Sequence, residues 1–225
     1  MKAVSIMSGG LDSTCMTAYL IEKGYEIYAL TFHYGQKAST EVDRAKELAE
    51  LLGAQKHEVI DISFMKQLYV GSNVLTGKGE VPSNFDYSIV VPIRNAIFLT
   101  IASAYAFSIK ADVVSYGAHK DDEKYYPDTR VEFAKSLENT LNLGEKDGIE
   151  MKIRKPIRII SPGILNMTKS DLLKEGYRIL GNIIYKTWSC YKGGNVQCGE
   201  CRSCNNRKRT FKEAGIPDLT PYINP

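Results

Sequence analysis

Apolar and polar positions follow two periods along this chain, and the two periods take turns. The run "KAVSIM" (2–7) reads as a buried strand, and residues 12–23 follow as a helix with Thr14, Ala18 and Ile21 near one face. "EIYALTFHY" (26–34) is a second strand. "ASTEVDRAKELAELLG" (38–53) sets Val42, Ala45, Leu48 and Leu52 at helical spacing and closes on Gly53, and "KHEVIDI" (56–62) makes a third strand. Strand, helix, strand, helix, strand requires parallel pairing through right-handed crossovers. The expected fold class is therefore α/β, a doubly wound parallel sheet.

The pattern lapses over 71–88, "GSNVLTGKGEVPSNFDYS", where Gly, Ser and Asn predict a long loop, either a lid or binding loop or a segment that is simply mobile. It resumes in "VVPIRNAIFLTIASAYAFSIKA" (90–111), a helix opening just after Pro92, then the strand "DVVSYGA" (112–118). The loop "HKDDEKYYPDTR" (119–130) leads into a helix from Val131 to Leu143. "TKSDLLKEGYRIL" (168–180) predicts a helix with a capping box from Thr168 to Asp171. From Thr187 the core periodicity gives way to Cys, Gly, Arg and Asn. That shift divides the chain into an α/β domain, 1–186, and a tail, 187–225, packed on it.

Composition narrows the class. The 225 residues can bury one sizeable core, and a 44% hydrophobic, 24% charged balance is ordinary for a globular protein. No apolar run is read as long enough to span a bilayer, and "MKAVSIMSGG" is too short and too glycine-broken for a signal peptide, so a cytoplasmic protein with no membrane partner is expected. A net charge of +3 permits anionic ligands without the basic bias typical of nucleic-acid binding.

The first strand runs into "SGGLDST", Ser8 to Thr14. In an open parallel sheet, ligands sit where strands end and helices begin. Gly9 and Gly10 let backbone N–H groups turn toward an anion, the hydroxyls of Ser8, Ser13 and Thr14 can donate, and the helix adds its positive end. Asp12 repels a bare phosphate, so it reads either as a helix cap or as a ligand of Mg²⁺. A Walker A loop is excluded because no Gly-Lys-Ser/Thr closes it, and the Gly-x-Gly-x-x-Gly fingerprint is absent. A plain glycine turn with an Asp or Ser cap is the bland alternative.

Four of the five cysteines crowd together as Cys190-x7-Cys198-x2-Cys201-x2-Cys204. Four thiolates with two-residue gaps suit a tetrahedral, structural Zn²⁺, and Gly193, Gly194 and Gly199 allow the chain to fold round it. An iron–sulfur cluster is the competing reading, weakened by the missing Cys-Pro of the ferredoxin run. Cys15 stands apart on the first helix and reads as a small buried residue.

"SGGLDST" after a first strand resembles the pyrophosphate loop of the ATP pyrophosphatases, or adenine nucleotide α-hydrolases. Taken with "LTFHYGQ" (31–36), "VPIRNAIFL" (91–99), "YPDTRVEF" (126–133), "TKSDLL" and "TWSCYKGGNVQCGECRSCNNRKRTFKEAGIPD", nearly the whole chain resembles the 7-cyano-7-deazaguanine synthase family. The resemblance implies an ATP-dependent C–N ligase that turns 7-carboxy-7-deazaguanine and ammonia into the nitrile. The steps it implies are an adenylated carboxylate, an amide, then activation and loss of the amide oxygen. It implies that Ser8, Gly9, Gly10, Leu11, Asp12, Ser13 and Thr14 hold ATP with Mg²⁺, with Asp12, Lys169 and Arg94 catalytic. Arg94, Asn95, Asp121, Asp128 and Arg130 would meet the substrate, and the four cysteines one zinc; an exposed helix-start lysine at 169, a surface Arg-Asn pair at 94–95 and a solvated charged loop at 119–130 are the bland alternatives. A homodimer without direct tRNA binding is implied as well. Asp122 belongs to the same loop as Asp121, and His33 ends the second strand, where it could contact adenine or simply pack.

The chain departs from the family where Lys124-Tyr125 precede "YPD", where Thr129 follows it, and where Ile93 stands in place of a frequent glycine or alanine. A related enzyme acting on a modified deazaguanine, or joining one to another amine, stays open at those positions. Two readings of other classes also stay open. One is a tRNA-modifying ATP pyrophosphatase gripping phosphates with Arg202, Arg207, Lys208, Arg209 and Lys212; the other is a non-catalytic nucleotide-binding module.

Overall fold

The protein is described by a computed structural model covering residues 1–35, 40–69, 71–75, 85–192 and 194–224. Gln36, positions 76–84 of the glycine-rich segment and Gly193 lie outside the described residues. Five strands, β1 (Lys2–Ile6), β2 (Glu26–His33), β3 (Lys56–Asp61), β4 (Val113–Ser115) and β5 (Arg158–Ile160), pair in parallel in the order β3-β2-β1-β4-β5. The order reverses between β1 and β4, so the carboxyl ends of those two strands open a crevice.

Alternation along β1 sorts its side chains between two cores. Val4 joins Leu30, Phe32, Leu99, Ala102 and Val114 under α4 (Arg94–Ile109) and α5 (Val131–Gly144). Ala3 and Met7 join Met16, Leu20, Ile27 and Leu48 under α1 (Leu11–Glu22) and α2 (Thr40–Leu51). Helices on both faces make the sheet doubly wound, as the alternating periods require; in chain order the short α3 (Met65–Leu68) follows α2 and the short α6 (Lys146–Glu150) follows α5.

Helix α1 is buried almost all round: Thr14 and Ala18 face the core as expected, Ile21 is only half-buried, and Leu11 and Cys15 turn outward into a third cluster. That cluster holds Leu172 and Leu173 of α7 (Lys169–Leu180) and Phe211 of α8 (Arg202–Ala214). A Cβ on Gly176 would collide with the Cys15 side chain, so α7 lies on α1 at glycine distance. Burial pushes the Cys15 thiol pKa up, consistent with a packing role.

Several elements were not expected from the pattern. The strand β5 is three residues, "RII", behind a basic stretch. Helix α8 was hidden because its buried positions are Cys204, Arg207, Thr210 and Phe211, only one of them strongly apolar. Arg207 is buried, and its guanidinium donates to Thr220 Oγ1 (3.0 Å), Thr187 Oγ1 (2.8 Å), Ser189 Oγ (3.2 Å) and the Ile184 carbonyl (3.3 Å). The reading that no run is long enough to span a membrane is corrected: Tyr87–Ile109 passes by length and composition. Within it, Leu99, Ala102, Ala106 and Phe107 sit in the core beneath the sheet.

Just before α4, Ile93 adopts φ 46°, ψ 27°, left-handed backbone that costs a non-glycine residue roughly 1–2 kcal/mol. The side chain is 65% exposed, so little burial offsets that cost. Ile93→Gly is expected to stabilise the protein by about 1 kcal/mol, read as a raised midpoint in chemical denaturation. A lowered midpoint would show that the Ile93 side chain contributes more than its backbone costs.

Candidate active site

A cavity of about 1550 Å³ opens at the carboxyl ends of β1, β2 and β4, lined by residues from both ends of the chain. It divides into a loop end and an aromatic end.

The loop end is built on Ser8–Gly10 and the start of α1. Gly9 has φ 75°, and the space a Cβ would take is filled by the Glu41 carbonyl and the Ala45 amide of α2. Gly10 is the N-cap of α1 and supplies no side-chain acceptor, which leaves the first-turn N–H groups uncapped at a positive helix end. Asp12 is therefore not a cap. Ser8 Oγ lies 3.2 Å from Ser13 Oγ, and both serines line the cavity with Gly10, Leu11 and Asp12. Gly9 and Thr14 serve from behind, Thr14 Oγ1 donating to the Gly10 carbonyl at 2.8 Å.

Asp12 instead meets Lys169 at the start of α7, with Lys169 Nζ 2.7 Å from Asp12 Oδ2. The helix start is as expected: Thr168 caps it, and Asp171 returns the capping-box bond. Burial works to raise the Asp12 pKa, but Lys169, then His119, outweigh it and hold the carboxyl below its ordinary value of 3.8. For Lys169, burial works to lower the pKa, and Asp12 and Asp122 outweigh that, so it is raised above 10.5. Asp121 Oδ2 accepts from the Lys169 backbone N–H at 2.9 Å. Asp122 Oδ2 lies 3.4 Å from His119 Nε2, and burial raises the pKa of its carboxyl. Asp12 Oδ1 is buried with no hydrogen-bond partner, an orphaned anionic oxygen that fits a hard divalent cation.

Two residues here escaped the sequence reading. Gly117, at the end of β4, admits the first turn of α1: a Cβ there would lie 2.8 Å from the Ser13 amide nitrogen. The visible signal was a glycine just after an apolar strand. Trp188 donates its backbone N–H to the Gly9 carbonyl at 2.8 Å and its indole N–H to the Cys190 carbonyl at 2.8 Å, joining loop and cysteines.

At the aromatic end, Arg94 donates to Tyr34 Oη at 3.2 Å and lies over the Tyr34 and Phe98 rings, 5.6 and 6.0 Å from their centroids. Arg202 lies 5.3 Å over Phe85 and 5.9 Å over Tyr125, with Nη1 buried and unpartnered. Asn95 lines the cavity. Asp128 and Arg130 do not: Asp128 Oδ2 accepts from the Asn95 N–H at 3.0 Å, and Arg130 Nε donates to the Glu123 carbonyl at 3.1 Å. His33 also stands aside, 3.5 Å from Asp61. Of the basic residues considered for a phosphate grip, Arg207 is buried in the fold, while Arg202 and Arg209 line the cavity.

The sulfurs of Cys190, Cys198, Cys201 and Cys204 lie within 4.8 Å of one another. Backbone N–H groups point at two of them: Lys192 and Cys198 at Cys190 Sγ (3.4 and 3.5 Å), and Cys201 at Cys198 Sγ (3.3 Å). Gly199 turns the knuckle at φ 80°, where a Cβ would strike the Asn224 carbonyl. A four-sulfur set fits one tetrahedral soft metal.

Comparison with known proteins agrees with this layout. The family described as "Queuosine biosynthesis protein QueC" matches residues 2–215. A 7-cyano-7-deazaguanine synthase of Thermoplasma acidophilum is 41% identical, over 98% of this chain and 92% of that protein. One from Archaeoglobus fulgidus is 40% identical, over 97% and 89%. Among solved structures, a 4-thiouridine synthetase in complex with RNA and bound ATP shares the fold at 17% identity and a TM-score of 0.51, covering 95% of this chain and 50% of that one.

The ion pair at the loop end sets a pH window. Asp12 has a depressed pKa, so its contribution is present above 3.8 and lost as pH falls through the folded value; Lys169 has a raised one, so its contribution is present below 10.5 and lost as pH rises. Lys169→Met strands Asp12 in a largely buried place and is expected to cost about 2 kcal/mol at pH 7. By pH 3 that gap should narrow, as shown by urea titrations at both values. An equal gap at both would mean the pair carries no pH-dependent stability.

Proposed function

The chain belongs to the QueC family of queuosine biosynthesis proteins, and on that premise we propose that it is a 7-cyano-7-deazaguanine synthase, an ATP-dependent C–N ligase serving queuosine and archaeosine tRNA modification. Its substrates are ATP, ammonia and 7-carboxy-7-deazaguanine. The observation that carries this reading is one continuous cavity joining the uncapped start of α1 to an arginine-bearing aromatic chamber.

A carboxylate is a poor electrophile and an amide a poorer one, so each oxygen must leave attached to a good leaving group. The base carboxylate attacks the α-phosphorus of ATP, and the bond to pyrophosphate breaks. Ammonia then adds to the acyl carbon and displaces AMP to give the amide. The amide oxygen then attacks the α-phosphorus of a second ATP and releases a second pyrophosphate; that oxygen departs with AMP as the nitrogen gives up its two protons, which leaves the nitrile. Ser8, Ser13 and the first-turn N–H groups of Leu11, Asp12 and Ser13 hold the departing pyrophosphate, with Gly9 and Gly10 shaping the loop and Thr14 bracing it. Lys169 offsets the charge that develops there, kept in place by Asp12 and by Asp121. Asp12 Oδ1 suits the Mg²⁺ that accompanies ATP, a cation that offsets polyphosphate charge when bound.

Arg94 and Asn95 face the reacting carboxylate from the start of α4. Asp128 and Arg130 act at one remove, by positioning that helix start and the loop beside it. The tail, 187–225, is read as a segment organised by one structural zinc on its four cysteines, packed on the α/β domain of residues 1–186.

Wild-type protein supplied with ATP, Mg²⁺, ammonia and 7-carboxy-7-deazaguanine is expected to release the nitrile and AMP, resolved by liquid chromatography and mass spectrometry. Neither product would overturn the reading; AMP without nitrile would redirect it to another acceptor. Asp12→Asn should lower turnover by ~100-fold or more while circular dichroism and metal content stay unchanged. Cys201→Ser should lose metal and thermal stability together, since a structural zinc contributes folding energy. Elemental analysis returning iron with visible absorbance would remove the zinc assignment.

A further inference from the structure

Glu41 is a carboxylate that the chemistry above leaves unused. It sits in the first turn of α2 with its backbone carbonyl against Gly9, and it lines the cavity. Among the described residues its carboxylate accepts no hydrogen bond and forms no ion pair. The charged group that acts on it, among the described residues, is Arg94, yet Arg94 is held by the Tyr34 hydroxyl instead. Tyr191 stands within the influence of Glu41, Arg94 and Arg202 together. Burial raises the Glu41 carboxyl to about 7, the mark of an acceptor kept from water and short of donors.

An acid and two arginines that face one chamber without pairing leave room for a ligand that is complementary to both. A flat ring with two adjacent N–H donors on one edge and an anionic group on the other meets that requirement. The arginines match the anionic side, and the Phe85 and Tyr125 rings beneath Arg202 offer a stacking surface. An ionised carboxylate is acceptor-only, and its two oxygens match two parallel donors. We propose that Glu41 is the specificity-determining residue for the base, its oxygens taking the ring N–H and exocyclic amine of a 2-amino-6-oxo-7-deazapurine. This rests on the function proposed above and adds to it which edge of the base is read, and by which residue.

A base without the exocyclic amine leaves one Glu41 oxygen desolvated and unpaired, so discrimination is the readout that a merely structural role would not move. Wild-type enzyme is expected to use 7-carboxy-7-deazaguanine with a kcat/KM about 10- to 100-fold above that of the analogue lacking the 2-amino group. In Glu41→Gln the KM for the parent base should rise by a similar factor. The preference between the two bases should shrink to about threefold or less, with kcat and the KM for ATP held within about threefold. Equal use of the two bases by the wild type, or preference retained in Glu41→Gln, would overturn the assignment. So would a fall in kcat at constant base KM, which is the mark of a proton-transfer role. The wild-type comparison needs no variant to fold. Nitrile formation from the parent base tests the function itself, so failure of one is distinguishable from failure of the other.

Discussion

Helix α1 has no free face, and most of the site follows from that constraint. It is pressed on one side against the sheet and on the other against α7, close enough that Gly176 must lack a side chain beside Cys15. Gly117 lets the end of β4 pass beneath its first turn, and Gly9 does the same for α2. A helix held this tightly presents its N-terminus in one place. The hydroxyls, the uncapped N–H groups and Asp12 therefore arrive preorganised, which is what the proposed stabilisation of a leaving anion requires. Packing and chemistry are here the same set of contacts.

The charges near α1 are handled in two ways. At the cavity, Asp12 and Lys169 offset each other while one Asp12 oxygen is kept unpaired. Behind it, Arg207 is buried and satisfied by neutral acceptors, two threonines, a serine and a carbonyl. Burial lowers the Arg207 pKa, although an arginine does not lose its proton in proteins. Its donors reach residues 184, 187, 189 and 220, so one side chain gathers the end of the α/β region, the approach to the cysteines and the segment after α8.

How much of this was legible depended on whether a residue's role matched its type. The alternation from β1 through α2 was legible because apolar residues sat at buried positions with regular spacing, and β3 was legible from its β-branched run although none of its residues is fully buried. The Thr168 capping box and the four cysteines were legible because few other arrangements use those residues at those intervals. Helix α8 was not, because arginine, cysteine and threonine occupy its buried stripe and no hydrophobic period survives. Glu41 was invisible for a related reason: in sequence it is one more acid in the first turn of a polar helix, a common and stabilising place. Only the fold turns it toward a cavity and, among the described residues, withholds a partner. Asp128 shows the converse, a carboxylate whose loop pointed to the ligand and whose hydrogen bond goes to a helix start instead.

Trp188 is the only tryptophan in the chain, it is buried, and its two N–H groups are committed to Gly9 of the loop and to Cys190 of the sulfur cluster. A single indole fixed between two distant parts of a molecule is a built-in optical probe. Its emission reports on the Ser8–Thr14 loop and on the cysteine knuckle at once, with no second indole to compete. Events at either place thus become observable in the unlabelled protein, and the order in which the two places respond becomes a matter of watching one band shift.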